Sequence, residues 1–192
     1  MLRRSNPERA PLDPAETSDA ALMSRLARGE SGALGELYDR HHAPIRRFVA
    51  RATSDGGDVD DLVHATFLTA ARNAARYDGR ASGRPWLIGI AAQLLRRRHR
   101  AFARFVAVVT SFRDTRAGAT DPRSALHART DVERALTQLS EPKRITFLMA
   151  ELEGLTCPEI AEALGIPIGT VWTRLHAARR ELRQALTRGE EP

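Results

Sequence analysis

Lysine is nearly missing from this 192-residue chain: Lys143 stands alone, and arginine carries almost all of the positive charge. Codon bias in a GC-rich genome is the plain cause, and the bidentate geometry of guanidinium towards phosphates and base edges is the functional one. Cysteine is as scarce. With Cys157 the only one, an internal disulfide and a Cys-based zinc site are excluded, a reducing compartment fits, and the thiol reads as an inert residue at a helix start. Aromatic residues make up 5%, which argues against a sandwich or barrel and for helices packed through small residues, Leu and Ile. No apolar run approaches the roughly 18 residues of a membrane span. The opening MLRRSNPERAPLDPAETSD carries no apolar signal segment after its Arg pair. No membrane insertion and a cytoplasmic location are therefore expected.

What is present points to a helical protein with an anionic partner. A hydrophobic share of 42% is enough for a packed core, and the length suits one ordinary domain or two small ones. The net charge of +6 fits a polyanion, because cations at a protein surface release condensed counterions from nucleic acid. Between Arg84 and Arg104 there are six arginines and no acidic residue.

Periodicity divides the chain into four parts. Residues 1–17 are polar and hold Pro7, Pro11 and Pro14, the composition of a disordered tail. A first domain is expected over 18–105. Leu22 and Leu26 begin it, a helix with Leu34, Leu37, Tyr38, Ile45, Phe48 and Val49 follows, and Pro44 should kink that helix. In DVDDLVHATF, Asp58 is placed as N-cap, Asp60 and Asp61 complement the helix dipole, and Val59, Leu62, Val63, Phe67, Ala70 and Tyr77 form the buried face. After DGRASGR, Pro85 suits the first turn of a fourth helix that runs on into LLRRRHRAFAR as a protruding basic rod. Residues 106–127 have linker composition, and 128–188 should form a second domain.

The sharpest motif lies in that second domain, in LTCPEIAEALGIPIGTVWTRLHAARREL. Thr156 and Glu159 are spaced as a capping box, and Pro158 sits where its missing donor does no harm. Gly165 permits a left-handed turn, and Thr170 is placed as cap of a second helix. Val171, Leu175, Ala178, Leu182 and Leu186 would be buried, leaving Thr170, Trp172, Thr173, Arg174, His176 and Arg179 to face a DNA major groove. Arg174 is the best candidate for bidentate contact with a guanine. Trp172 could stack on DNA or pack on a neighbouring helix.

The two domains together resemble the extracytoplasmic-function group of RNA polymerase sigma factors over roughly Asp19 to Leu186. LGELYDRHHAPIRRFVAR, DVDDLVHATFLTA and RPWLIGIAAQLLRRRHR are similar to that family's domain two, and the helix-turn-helix to its domain four. The resemblance implies an all-α fold of two small helical domains joined by a flexible linker. It implies that the surface matching Asp61, Leu62, His64 and Phe67 docks on the β′ clamp of core polymerase, with the β flap as a second contact. It implies minus-ten contacts from Tyr77, Arg80, Arg84, Trp86, Arg96, Arg97 and Arg100, and reading of the minus-thirty-five element by the helix-turn-helix. Exposing a base costs a few kcal/mol of stacking, which a pocket and a basic strand-tracking helix can offset. His64 stands where the family usually has Gln, Gln93 where Asn is common, and Trp172 where Lys or Arg is usual. No sensor domain is legible, so control by an anti-sigma partner that clamps both domains is expected.

Two other classes compete. A sequence-specific helix-turn-helix regulator would act without joining polymerase, but it needs no first domain. An enzyme would need a catalytic or metal constellation. His41 and His42 adjoin Asp39 but point apart on a helix, so they read as solvated histidines, and DGGDVDD lacks the spacing of a calcium loop. No catalytic residue, metal or cofactor is expected.

Overall fold

The computed structural model describes residues 18–53, 58–79, 82–111 and 131–188. The expected tail, most of the expected linker and Arg80 lie outside the described residues. Eight helices and one short turn of 3-10 helix occur among them, with no strand: α1 (Asp19–Ala27), α2 (Gly32–Ala52), α3 (Val59–Arg72), the turn Ala74–Arg76, α4 (Arg84–Ser111), α5 (Asp131–Gln138), α6 (Glu141–Glu151), α7 (Cys157–Leu164) and α8 (Ile168–Arg188).

Local chemistry sets most helix ends. Ser18 caps α1 by accepting from the Ala21 N–H at 3.1 Å, and Gly29, with φ of 87°, lets the chain turn back into α2. Pro44, where a kink was expected, lies inside α2, which runs on to Ala52. Asp58 does stand before α3, but in a left-handed conformation and without a side-chain cap bond. Its carboxylate instead meets Arg98 on α4 at 2.7 Å. An ion pair to a neighbouring helix has replaced the local cap. The fourth helix reaches Ser111, into the stretch expected as linker from 106.

In the first unit, Leu22, Leu37, Ile45, Phe48, Val63 and Leu87 bring four helices onto one core. Each such side chain contributes about 1.5 to 3 kcal/mol when fully buried. In the second, Leu136, Ile145, Met149, Ile160, Val171 and Leu175 do the same for α5 to α8. Leu186, expected in the stripe of α8, is exposed near the helix end.

One polar cluster corrects the sequence reading. His41 is not a solvated histidine: it is buried, with Nε2 2.9 Å from Asp19 Oδ2. His42 is half-buried and stacks on Tyr38, ring centroids 5.1 Å apart. Asp19 also accepts the Gly83 N–H at 2.6 Å. A Cβ at Gly83 would come within 3.3 Å of that carboxylate oxygen, so glycine permits the close approach. The turn before α4 is thereby tied to α1.

The basic rod does not simply protrude. Helices α6 and α7 pack on α4, and α6 also meets α2.

Candidate nucleic-acid and polymerase surfaces

The helix-turn-helix forms as its sequence chemistry demands. Thr156 N–H donates to Glu159 Oε2 at 2.8 Å, and Glu159 N–H donates to Thr156 Oγ1 at 3.5 Å, completing the capping box. Gly165 ends α7 at φ 61°, ψ 47°, the left-handed conformation that glycine adopts without a Cβ clash. The next helix begins two positions before its expected cap. It starts at Ile168, and Thr170 lies inside its first turn with its N–H on Pro167 O at 2.9 Å.

Helix α8 buries Val171, Leu175, Ala178 and Leu182 and turns the opposite face outward. Trp172 is 59% exposed, which favours the surface role over the packed one. Thr173 and His176 are exposed, and the Thr173 hydroxyl donates back to Gly169 O at 2.8 Å. Arg179 is exposed and grips Glu151 through Nε and Nη2 at 3.1 and 2.7 Å. Arg174 differs from its neighbours: it is half-buried, and its Nη1 has no hydrogen-bond partner. Burial, and then the Arg96 guanidinium facing it, push its pKa below the ordinary arginine value.

On α4 the expected minus-ten residues divide into two groups. Arg97 and Arg100 are exposed. Arg84, Trp86 and Arg96 are partly covered. Arg84 pairs with Glu153 at 2.6 Å, Arg96 Nη1 donates to Leu164 O, and Trp86 meets Tyr77 edge to face at 5.3 Å. Trp86 and Gln93 line a cleft whose far wall includes Leu155, Glu159 and Ala163 of the second domain.

On α3 the four expected docking residues split in the same way. Asp61 and His64 are exposed, and the His64 ring lies parallel to Tyr38 with centroids 6.0 Å apart. Leu62 and Phe67 are only 8% and 2% exposed and belong to the core. Their side chains face the core rather than the surface. Leu68, which the sequence reading did not single out, is 51% exposed. Asp61, His64 and Leu68 recur at spacings of three and four and share one face. The signal was available, because Leu68 is an apolar residue outside the buried stripe of its own helix.

Comparison with known proteins agrees with this architecture. Residues 37–105 match the family model Sigma-70 region 2, and residues 129–182 match Sigma-70, region 4. The chain is 33% identical over 168 residues to the RNA polymerase sigma factor CarQ of Myxococcus xanthus, spanning 85% of this chain and 95% of that protein. It is 32% identical over 170 residues to the ECF RNA polymerase sigma factor SigL of Mycobacterium tuberculosis, spanning 86% of this chain and 96% of that protein. The sigma factor RpoE of Bartonella quintana, solved in complex with the anti-sigma factor NepR, shares the fold with a TM-score of 0.60 at 21% identity, covering 76% of this chain and 91% of that one. CnrH, solved in complex with the cytosolic domain of CnrY, gives 0.60 at 24% identity, covering 90% of this chain and 99% of that one. With both helical regions matched in order and nearly the whole of two curated relatives covered, the chain belongs to the extracytoplasmic-function group of the sigma-70 family of RNA polymerase sigma factors.

Proposed function

We propose that this protein docks on core RNA polymerase through the Asp61, His64 and Leu68 face of α3, engages the minus-ten element with α4 and the loop before it, and reads the minus-thirty-five element with α8. One observation supports this reading above others: a single chain carries both a helix-turn-helix and a second basic helix that shares its core with α3. A regulator that never joins polymerase has no use for the latter pair. Tyr77, Arg84, Trp86, Arg96, Arg97 and Arg100 serve the minus-ten element, with Arg80 in the same loop. Thr170, Trp172, Thr173, Arg174, His176 and Arg179 serve the upstream element. Recognition and positioning are the whole of the role, with no chemistry of its own, and it is exercised in the cytoplasm.

Transcription in vitro on a genomic library tests the proposal. Specific starts are expected only when the protein is added to core polymerase. A clear footprint on duplex DNA with the protein alone, and no effect on initiation, would favour the regulator instead. RpoE and CnrH were each solved with a bound partner, NepR and CnrY, which supports an anti-sigma partner here as well. Full, signal-independent activity in cells lacking any such partner would count against it.

A further inference from the structure

Helix α8 carries an apolar edge that the core of its own domain does not use. Trp172 is 59% exposed and Ile168, one turn before it, is 39% exposed, while Val171 and Leu175 of the same helix are buried. The contrast with Trp86 is direct, since that ring is partly covered and meets Tyr77 edge to face. Removing an indole from water is favourable, so a ring left outside forgoes a gain that a partner can supply.

The residues around Trp172 keep that edge apolar and open. Thr173 is exposed, but its hydroxyl donates back to Gly169 O at 2.8 Å. With that proton spent inside the helix, Thr173 offers a base no donor, only its methyl group and an acceptor. A Cβ at Gly169 would meet no atom within 4 Å, so packing among the described residues does not ask for glycine there, and the bare backbone lets a ligand come close between Ile168 and Trp172. Arg174 stands two residues beyond Trp172, about 200° farther round the helix, so the two reach different base pairs. Arg179, Arg180 and Arg183 are exposed later on α8 and supply cations for the phosphates.

One base matches this surface better than the others. In the major groove thymine shows a C5 methyl beside a single acceptor, O4, whereas guanine shows two acceptors, O6 and N7, and cytosine an amino donor. An indole face and a threonine methyl laid on guanine would strip water from two acceptors and return no hydrogen bond. On thymine they cover a methyl group that water solvates poorly. Resting on the reading of α8 as the helix that reads the upstream element, we propose that Trp172, with Ile168 and Thr173 beside it, is the specificity-determining residue for a thymine in that element, recognised through its C5 methyl. The family usually places Lys or Arg here, cations suited to guanine. This chain reads a methyl group instead, so its upstream element differs at that base pair.

The test removes the methyl and nothing else. Holoenzyme assembled from the full chain and core polymerase selects promoters from a library randomised over the upstream element, and each thymine of the selected element is then replaced, one at a time, by deoxyuridine. One thymine should stand out, its replacement weakening promoter binding roughly fourfold, the worth of one buried methyl group. Trp172→Ala holoenzyme should bind thymine and deoxyuridine alike at that position, and Trp172→Arg should favour guanine there. The absence of any methyl-sensitive thymine under wild-type holoenzyme overturns the proposal, as does a sensitivity that Trp172→Ala leaves intact. Weakened binding of Trp172→Ala to core polymerase without DNA also overturns it, because that outcome assigns the indole to a protein surface.

The deoxyuridine scan uses wild-type protein and so judges the proposal even should a Trp172 variant fail to fold. Specific initiation without methyl dependence overturns the thymine contact and leaves the sigma reading in place. Protein that footprints duplex DNA unaided, with the methyl dependence present and no effect on initiation, sinks the sigma reading and keeps the contact.

Discussion

Asp19 Oδ2 and His41 Nε2 stand 2.9 Å apart, both side chains buried, where α1 crosses α2. The same oxygen accepts the Gly83 N–H, and Oδ1 accepts from Arg40 Nη1 at 2.7 Å. One carboxylate thus joins two helices to the turn that launches α4. Burial alone would raise its pKa, but the Gly83 N–H, His41 and Arg40 together outweigh burial and hold it below the usual carboxylate value. The turn into the basic helix is thus held by a buried carboxylate of α1.

Asp19→Ala is expected to cost about 2 kcal/mol or more, because it removes the acceptor of the buried Gly83 N–H and the partner of the buried His41 ring. A depressed folded pKa stabilises fully above the ordinary Asp value of 3.8 and loses that contribution as pH falls through the lowered folded value. Urea melts of wild type and Asp19→Ala should therefore differ most near neutrality and converge in strong acid. A gap of the same size at every pH would remove the carboxylate's charge from the account.

The division of α3 into inner and outer faces makes opposite predictions for neighbouring positions. Phe67→Ala should cost about 3 to 5 kcal/mol of stability through the cavity it leaves. Leu68→Ala should leave the melting temperature nearly unchanged and weaken binding to core polymerase. Thermal melts paired with polymerase binding separate the two, and a Leu68→Ala protein that binds core polymerase as wild type does would remove that residue from the docking face.

Arg174 and Arg97 should differ in the kind of loss they produce. Arg174→Ala is expected to weaken binding by about 1 to 3 kcal/mol and to relax preference at one upstream base pair, while Arg97→Ala weakens binding to all sequences alike and lowers the salt dependence. Binding of holoenzyme to a panel of single-base promoter variants distinguishes them. Equal loss on every upstream variant for Arg174→Ala would demote it to a phosphate contact.

The turn of the second domain carries a local prediction. Thr156→Ala should cost about 1 kcal/mol through the lost cap. Gly165→Ala should cost about 1 kcal/mol, because its φ of 61° brings a Cβ against the following carbonyl. Chemical denaturation followed by circular dichroism reads both, and their sum should be nearly additive given the separation along α7.

The helix-turn-helix was legible before any coordinates. Thr156 with Glu159, Pro158 and Gly165 act through bonds that span a few residues, so their spacing in the chain already states the geometry. Helical stripes were legible for the same reason: the period of 3.6 that brings Leu37, Ile45 and Phe48 to one face is a property of the backbone. Family membership rested on those two kinds of pattern together. Local chemistry could still mislead where a distant partner competed for the same atoms. Asp58 looked like a cap, yet Arg98 on another helix takes its carboxylate.

Packing decided the rest. The stripe of α3 already put Leu62 and Phe67 on the buried side, and the structure keeps them there; the resemblance had also given them to a docking surface, while Leu68, which neither reading named, lies outside the core. His41 looked like a solvated residue because its partner, Asp19, is 22 positions away on another helix. Arg84 and Glu153, 69 positions apart, meet because α6 and α7 pack on α4. The sequence by itself determined the helices, the Thr156–Glu159 capping box and the helix-turn-helix, since these depend on near neighbours. Which charges are buried, and which arginines of α4 the second domain covers, depends on contacts between segments with no local signature, and only the tertiary structure decided it.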